Sequence, residues 1–398
     1  MPHVPNSLPV SHSAVEPAEW PAAGGEPRLT LNLTHACNMA CTYCYAGEKT
    51  AESMGSETGR AAIDLVLDAL GRRGIRSLQI AFFGGEPLMA WGRLVELAEY
   101  AASAAPRAGI AVRYQVTTNG TLLNPERLDA LARLDADLAI SVDGVPAAHD
   151  AARPMAGGRA SAARVWEALD LALARRPRLS VISVVDPANV GWLGHSIAAL
   201  ADRGVQRIVL NPNYSTRWCS PALDAWRTGY ESAAAAYLAS YRQGRPLALN
   251  VFDDKILLHL GDVGGSLHGC GFGEWDLAVA PSGRLYPCGR AVGADRDPSL
   301  WLGDVTSGVR RPGRAPARLV ADLPEPCQRC AHRERCASRC SCANREMTGD
   351  PLMPGEVLCW HERMSIPIAD RVANTLFAES NLAFMTRFYG IQSQEGST

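Results

Sequence analysis

Residues 28–44 read RLTLNLTHACNMACTYC, a strand-like alternating run over 28–36 that ends in three cysteines, Cys37, Cys41 and Cys44. Three thiolates within eight residues of one loop are too few for a structural zinc site, which takes four protein ligands, usually as two separated pairs. They suit a [4Fe–4S] cube with three irons tied down and the fourth left open to a small molecule. A zinc site that borrows a distant fourth ligand is the competing reading of the same spacing.

Outward from this loop, strands and helices alternate. Strands are predicted at 28–36, 77–83, 111–117, 137–142, 179–185 and 207–210. Between them, Ile63, Val66, Leu67 and Leu70 follow the spacing of one buried helical face, as do Leu94, Leu97, Ala98 and Ala101, and Val165, Ala168, Leu169 and Ala172. Six such units predict an α/β fold with a parallel sheet, either doubly wound or a barrel. The strand ends carry Gly84-Gly85-Glu86-Pro87, Thr118-Asn119-Gly120, Asp143-Gly144, Asp186-Pro187 and Asn211-Pro212-Asn213. Turns hold such residues for conformational reasons alone. Six together, one with the cysteine loop, predict a site at the carboxyl ends of the strands.

Twelve cysteines in 398 residues are unevenly placed: three in the first loop, Cys219 alone, and eight between Cys270 and Cys359. In a reducing compartment this reads as metal ligation rather than disulfides, and no apolar signal core precedes the first strand, so a cytoplasmic location is expected. The net charge of −2 gives no basic surplus for nucleic acid, and no run of 18 apolar residues spans a membrane. Composition divides the chain into a disordered leader over 1–26, or a short arm lying on the domain; a barrel over 27–245; a Cys-, Gly-, Arg- and Pro-rich domain over 262–365; and a helix with a tail over 366–398.

The CxxxCxxC spacing, with Tyr43 before its third cysteine, and Gly84-Gly85-Glu86-Pro87 after the second strand resemble the signature of the radical S-adenosylmethionine (SAM) superfamily. The resemblance implies a partial (β/α)6 TIM-like barrel, a cluster on Cys37, Cys41 and Cys44, and SAM chelating its open iron. It also implies SAM contacts from Tyr43, Gly84, Gly85, Glu86, Pro87, Asn119, Ser141, Asp143 and Arg164, with Glu86 on the amino group and Arg164 on the carboxylate. His149, Asp150 and Arg153 follow the family's His-Asp-x-x-Arg run and are expected to support the wall of the site.

Cys270, Gly283, Cys288, Cys327, Cys330, Cys336, Cys340 and Cys359 are spaced like the SPASM domain, with its seven cysteines and one glycine. That resemblance implies two auxiliary iron–sulfur clusters: one on Cys270, Cys288 and Cys340 nearer SAM, one on Cys327, Cys330, Cys336 and Cys359. With the first, this makes three [4Fe–4S] clusters. Paired zinc ribbons are the alternative. Cys342, two residues from Cys340, would point away from it in a strand, so an open iron able to bind a substrate group is expected.

Such enzymes cleave SAM to a 5′-deoxyadenosyl radical that abstracts hydrogen from carbon. The expected function is oxidation of a ribosomally made peptide, forming a carbon–carbon or thioether cross-link with net loss of two hydrogens. Partners would be the precursor peptide, a separate leader-recognition protein and a low-potential electron donor, flavodoxin or ferredoxin. Formylglycine formation on sulfatases is the runner-up, with a small-molecule dehydrogenase behind it. Two departures count against formylglycine: Phe83 stands where the sulfatase-maturing group has Gln, and Gly289 where it has Asp.

Overall fold

The computed structural model describes residues 20–21, 25–176, 178–261, 271–310, 323–336 and 340–391. Six strands, β1 (Arg28–Asn32), β2 (Ser77–Phe83), β3 (Ala111–Thr118), β4 (Asp137–Ser141), β5 (Ser180–Val185) and β6 (Arg207–Pro212), lie side by side in chain order, all parallel. Sequential order has no switch point, so the doubly wound alternative is set aside. All six carboxyl ends fall along one edge.

The predicted faces are the buried ones. Helix Ser56–Arg72 buries Ile63, Val66, Leu67 and Leu70, and Trp91–Ala104 and Ala162–Arg175 bury the sets named above. Strand β1 is shorter than predicted because the chain turns after Asn32: His35 N–H donates to the Glu52 carbonyl at 2.9 Å, and Thr34 pairs with Ser53. This early turn swings the cysteine loop across the strand ends.

The divisions drawn from composition cross continuous structure. Past residue 245, β7 (Ala248–Leu249) extends the sheet beside β6. On the other flank β8 (Asp276–Val279) pairs in parallel with β1 and carries β9 (Arg284–Tyr286), β10 (Gly303–Asp304) and β11 (Gly308–Val309). Among the described residues the sheet thus has eleven strands, drawn from both expected domains. The boundary at 365/366 falls inside one helix, Glu356–Ala378, whose first turn holds Cys359. Strands of two to four residues carry too little alternation to be seen in sequence. Of the expected leader, Trp20, Pro21, Gly25 and Glu26 are described; Trp20 is buried in the main core, as a short arm on the domain would be. Among the described residues no helix is long and apolar enough to cross a membrane.

Helix Glu356–Ala378 packs on helices Ser220–Arg242 and Asn250–His259. The contact is aromatic: Trp226, fully buried, lies 4.2 Å from Trp218 and 5.1 Å from His361 between ring centroids. Inside it, Lys255 Nζ meets Glu362 Oε2 at 2.5 Å, both side chains under 5% exposed. Burial alone would raise the Glu362 carboxyl, but the His361 hydrogen bond and the Lys255 ammonium hold it at about 2. Lys255→Met leaves an unpaired buried carboxylate and is expected to destabilise the chain by about 3–5 kcal/mol, whereas Lys255→Met with Glu362→Leu should cost far less. Chemical denaturation of the two variants measures the difference.

Candidate active site

The cysteine loop is clamped from two sides. Ala40 and Thr42 N–H groups donate to the Pro154 and Ala152 carbonyls, each at 2.9 Å, and Ala156 N–H donates to the Asn38 carbonyl at 2.9 Å. From the other side, Gly85 N–H donates to the Thr34 carbonyl at 2.7 Å and Glu86 N–H to the Ala36 carbonyl at 2.9 Å. The glycines, expected to admit a cofactor closely, also admit the protein's own backbone. A Cβ at Gly84, whose φ is +137°, would sit 2.5 Å from the Thr34 oxygen, and one at Gly85 2.3 Å from the Ala36 oxygen.

Glu86 extends the clamp to the third strand. Its Oε1 accepts from Leu88 N–H at 3.0 Å and Thr118 Oγ1–H at 2.6 Å, and its Oε2 from Asn119 N–H at 2.8 Å. Burial pushes this carboxyl up, opposed by those three donors. Pro87 is buried and starts a short 3-10 turn, Pro87–Ala90.

These elements wall a cavity of about 440 Å³ along the strand ends. Cys37, Cys41 and Cys44 all line it, with Tyr43, Gly84, Gly85, Glu86, Asn119 and Ser141 of the predicted contacts. Burial raises the Cys41 thiol to about 11. Lys49 Nζ lies 2.8 Å from Cys44 Sγ, a contact with no motif to announce it. Asn119 Nδ2 donates to Asn38 Oδ1 at 2.9 Å, tying the cysteine loop to the end of β3.

Pro87, Asp143 and Arg164 are not among the cavity-lining residues. Asp143 is a buried hub: Oδ1 accepts from Arg153 Nε and Val184 N–H, each at 3.0 Å, and Oδ2 from Asn189 Nδ2 at 3.2 Å and the Tyr43 hydroxyl. Arg164 is exposed, its Nε donating to the Thr121 carbonyl at 2.6 Å. Arg153 does line the cavity, as does Arg290. The support roles of its neighbours are seen: Asp150 Oδ1 accepts from the Ser161 and Ala162 N–H groups at the start of helix Ala162–Arg175, and His149 Nδ1 accepts from Asp143 N–H at 3.2 Å.

The opposite wall comes from the cysteine-rich region. Cys340, Arg290, Tyr45 and Tyr214 line the same cavity. Cys340 Sγ is 3.6 Å from Cys342 Sγ, and Cys288 is an electrostatic neighbour of Cys342. The expectation that Cys342 points away is thereby corrected: residues 341–348 form a helix, not a strand, and Cys340 caps its first turn. Cys327, Cys330 and Cys359 are electrostatic neighbours elsewhere; burial, then the facing thiols, raises Cys327. Cys270 lies outside the described residues. The two departures at 83 and 289 are adjacent, since a Cβ on Gly289 would stand 3.1 Å from Thr30 Cγ2 and 3.9 Å from Phe83 Cδ1.

The all-sulfur donor sets fit iron–sulfur clusters, whose corners take one thiolate each. Among the described residues no three or more His, Cys, Asp or Glu side chains form the compact shell of a single bound ion. The backbone clamp around Gly84 and Gly85 leaves those residues on the cavity surface beside the thiols, a fit for a small polar ligand at an open iron.

The chain is similar to several known proteins. The pattern of the Radical SAM superfamily matches residues 31–189. Mycofactocin maturase MftC of Mycobacterium ulcerans is 32% identical over 66% of this chain and 68% of its own. PqqA peptide cyclase of Streptomyces rochei is 28% identical over 83% and 88%. An uncharacterized protein of Methanocaldococcus jannaschii is 28% identical over 46% of this chain, which spans 62% of that relative. The solved structure of native anSMEcpe with bound AdoMet shares the fold, with a TM-score of 0.73 at 16% identity over 88% of this chain and 99% of that one.

Gly85→Ala drives a methyl into the Ala36 carbonyl and must displace the cysteine loop. Iron bound after anaerobic reconstitution should fall by about four per chain if the loop holds one cube; unchanged iron would contradict the clamp. A second test is in pH. Burial, then Arg153, lowers His149 from 6.5 to about 4. The unfolded chain therefore binds the extra proton first, and the stability His149 contributes is full above pH 6.5 and lost as pH falls to 4. Across that window wild type should lose roughly 3 kcal/mol relative to His149→Gln, by denaturation of the cluster-free chain.

Proposed function

The chain belongs to the radical SAM superfamily, and from that premise we propose that it is a maturase that oxidatively cross-links a ribosomally made peptide. Membership implies a [4Fe–4S] cluster and SAM. We assign the cluster to Cys37, Cys41 and Cys44, and SAM to the cavity surface of Tyr43, Gly84, Gly85, Glu86, Asn119 and Ser141. Arg153, rather than Arg164, is the guanidinium assigned to the SAM carboxylate, because it reaches the cavity. Two auxiliary clusters are assigned to Cys288 and Cys340 with Cys270, and to Cys327, Cys330, Cys336 and Cys359.

The observation that carries the reading is that one cavity is lined both by the three-cysteine loop and by Cys340. Bound SAM would supply the radical that removes a hydrogen atom from a substrate carbon. The chain's own residues do the rest of the positioning. Phe83, Ile182 and Val184 give the cavity apolar surface that excludes water from a reactive carbon centre. Among the described lining residues the one carboxylate is Glu86, and both its oxygens are engaged. With Phe83 packed beside Gly289, no carboxylate base faces a Cys or Ser substrate there. This favours peptide cross-linking over formylglycine formation, in keeping with relatives named maturase and peptide cyclase.

With SAM, a low-potential reductant such as reduced flavodoxin or ferredoxin, and the precursor peptide encoded beside the gene, the product should be two hydrogens lighter. If recognition of the precursor's leader needs a separate protein, adding it should raise the yield. Deuterium placed on the reacting peptide carbon should appear in 5′-deoxyadenosine. Conversion of a sulfatase-derived Cys or Ser peptide to an aldehyde at a comparable rate, with the neighbouring peptide untouched, would transfer the assignment to formylglycine formation.

A further inference from the structure

We propose that Cys342 is a protein ligand of the auxiliary cluster beside the SAM cavity, together with Cys288 and Cys340, so that the iron it holds is not open to substrate. The inference rests on the auxiliary-cluster reading above and deepens it.

Three placements carry it. Cys340 stands at the N-cap of helix Ser341–Thr348 and Cys342 in its first turn, so their thiols come to 3.6 Å rather than to opposite faces. Cys288, buried just after β9, is the third thiol of the group, an electrostatic neighbour of Cys342. Cys342 is also not packed as a small apolar filler: it lines a hollow of about 490 Å³ with Tyr45, Phe272 and Arg290. That hollow adjoins the main cavity, since Tyr45 and Arg290 line both.

The surroundings suit an anionic cluster. Arg290 is an electrostatic neighbour of both Cys342 and Cys340, and its Nη2 pairs with Glu346 on the same helix. The start of helix Ser341–Thr348 adds the partial positive charge of its free N–H groups. Tyr45, whose ring stacks with Phe83 at 6.4 Å and lies under the Arg290 guanidinium at 5.4 Å, separates these thiols from Cys44. A ligand set completed by the chain makes this cluster an electron acceptor near the substrate rather than a handle that grips it. Ligation itself is simple in balance: each thiol that binds iron releases one proton.

The test uses the full chain carrying Cys37→Ala, Cys41→Ala and Cys44→Ala, reconstituted with iron and sulfide. This background should hold about eight irons if both auxiliary clusters form. Adding Cys342→Ala should lower iron by up to about four or convert the cluster, with a changed electron paramagnetic resonance spectrum on reduction. Cys342→Ser should keep more iron with a shifted spectrum, and Cys219→Ala, at an exposed cysteine, should change nothing. Eight irons and an unaltered spectrum in Cys342→Ala would overturn the inference and leave the three-cluster reading standing. A background without iron would overturn both. A measurement on unmutated protein covers the case in which Cys342→Ala fails to fold. Iodoacetamide should alkylate Cys342 about tenfold more slowly in the reconstituted protein than after iron is chelated, because a metal-bound thiolate is a poor nucleophile. Cys219 should react alike in both states. Equal labelling of Cys342 in both states would end the proposal.

Discussion

Two backbone carbonyls, those of Thr34 and Ala36, approach Gly84 and Gly85 so closely that no side chain can stand between them. The site is organised around that contact. It fixes where the chain leaves β1, and so where Cys37 begins its loop. It aligns Glu86 so that both its oxygens reach the end of β3. The second clamp, from residues 152–156, then has a loop of settled position to hold. Remove the close approach and the three thiols lose their common wall, although the sheet beneath has its own core and needs none of them.

Charge is handled in the same economical way. Asp143 gathers Arg153, Tyr43, Asn189 and a backbone N–H around one buried carboxylate. Such a group is tolerable in the interior only when its acceptor capacity is filled. Filling it orients two residues, Tyr43 and Arg153, that do face the cavity. Asp143, one of the expected SAM contacts, does not itself line the cavity.

Much of this was legible in the sequence, and the failures share a cause. Helix faces such as Ile63, Val66, Leu67 and Leu70 were readable because periodicity reports burial directly. The thiols of the first loop and the polar strand ends were readable because spacing along one short loop limits geometry. What sequence cannot carry is contact between distant segments. The approach of Gly84 and Gly85 to Thr34 and Ala36, some fifty residues away, is one such contact. Phe83 and Gly289 looked like independent departures and are neighbours in space. Cys342 was misplaced because the eight residues Ser341–Thr348 are too few to show a helical period, and the wrong backbone reverses a side chain. Lys49 and Tyr214 had no motif at all.

The helix Glu356–Ala378 joins two kinds of task in one element. Its later turns bury Ile368, Val372 and Leu376 against the body of the protein, a task for hydrophobic contact alone, while Cys359 sits in its first turn. Cys359 is thus presented from a platform whose position is set by apolar packing rather than by the thiol itself.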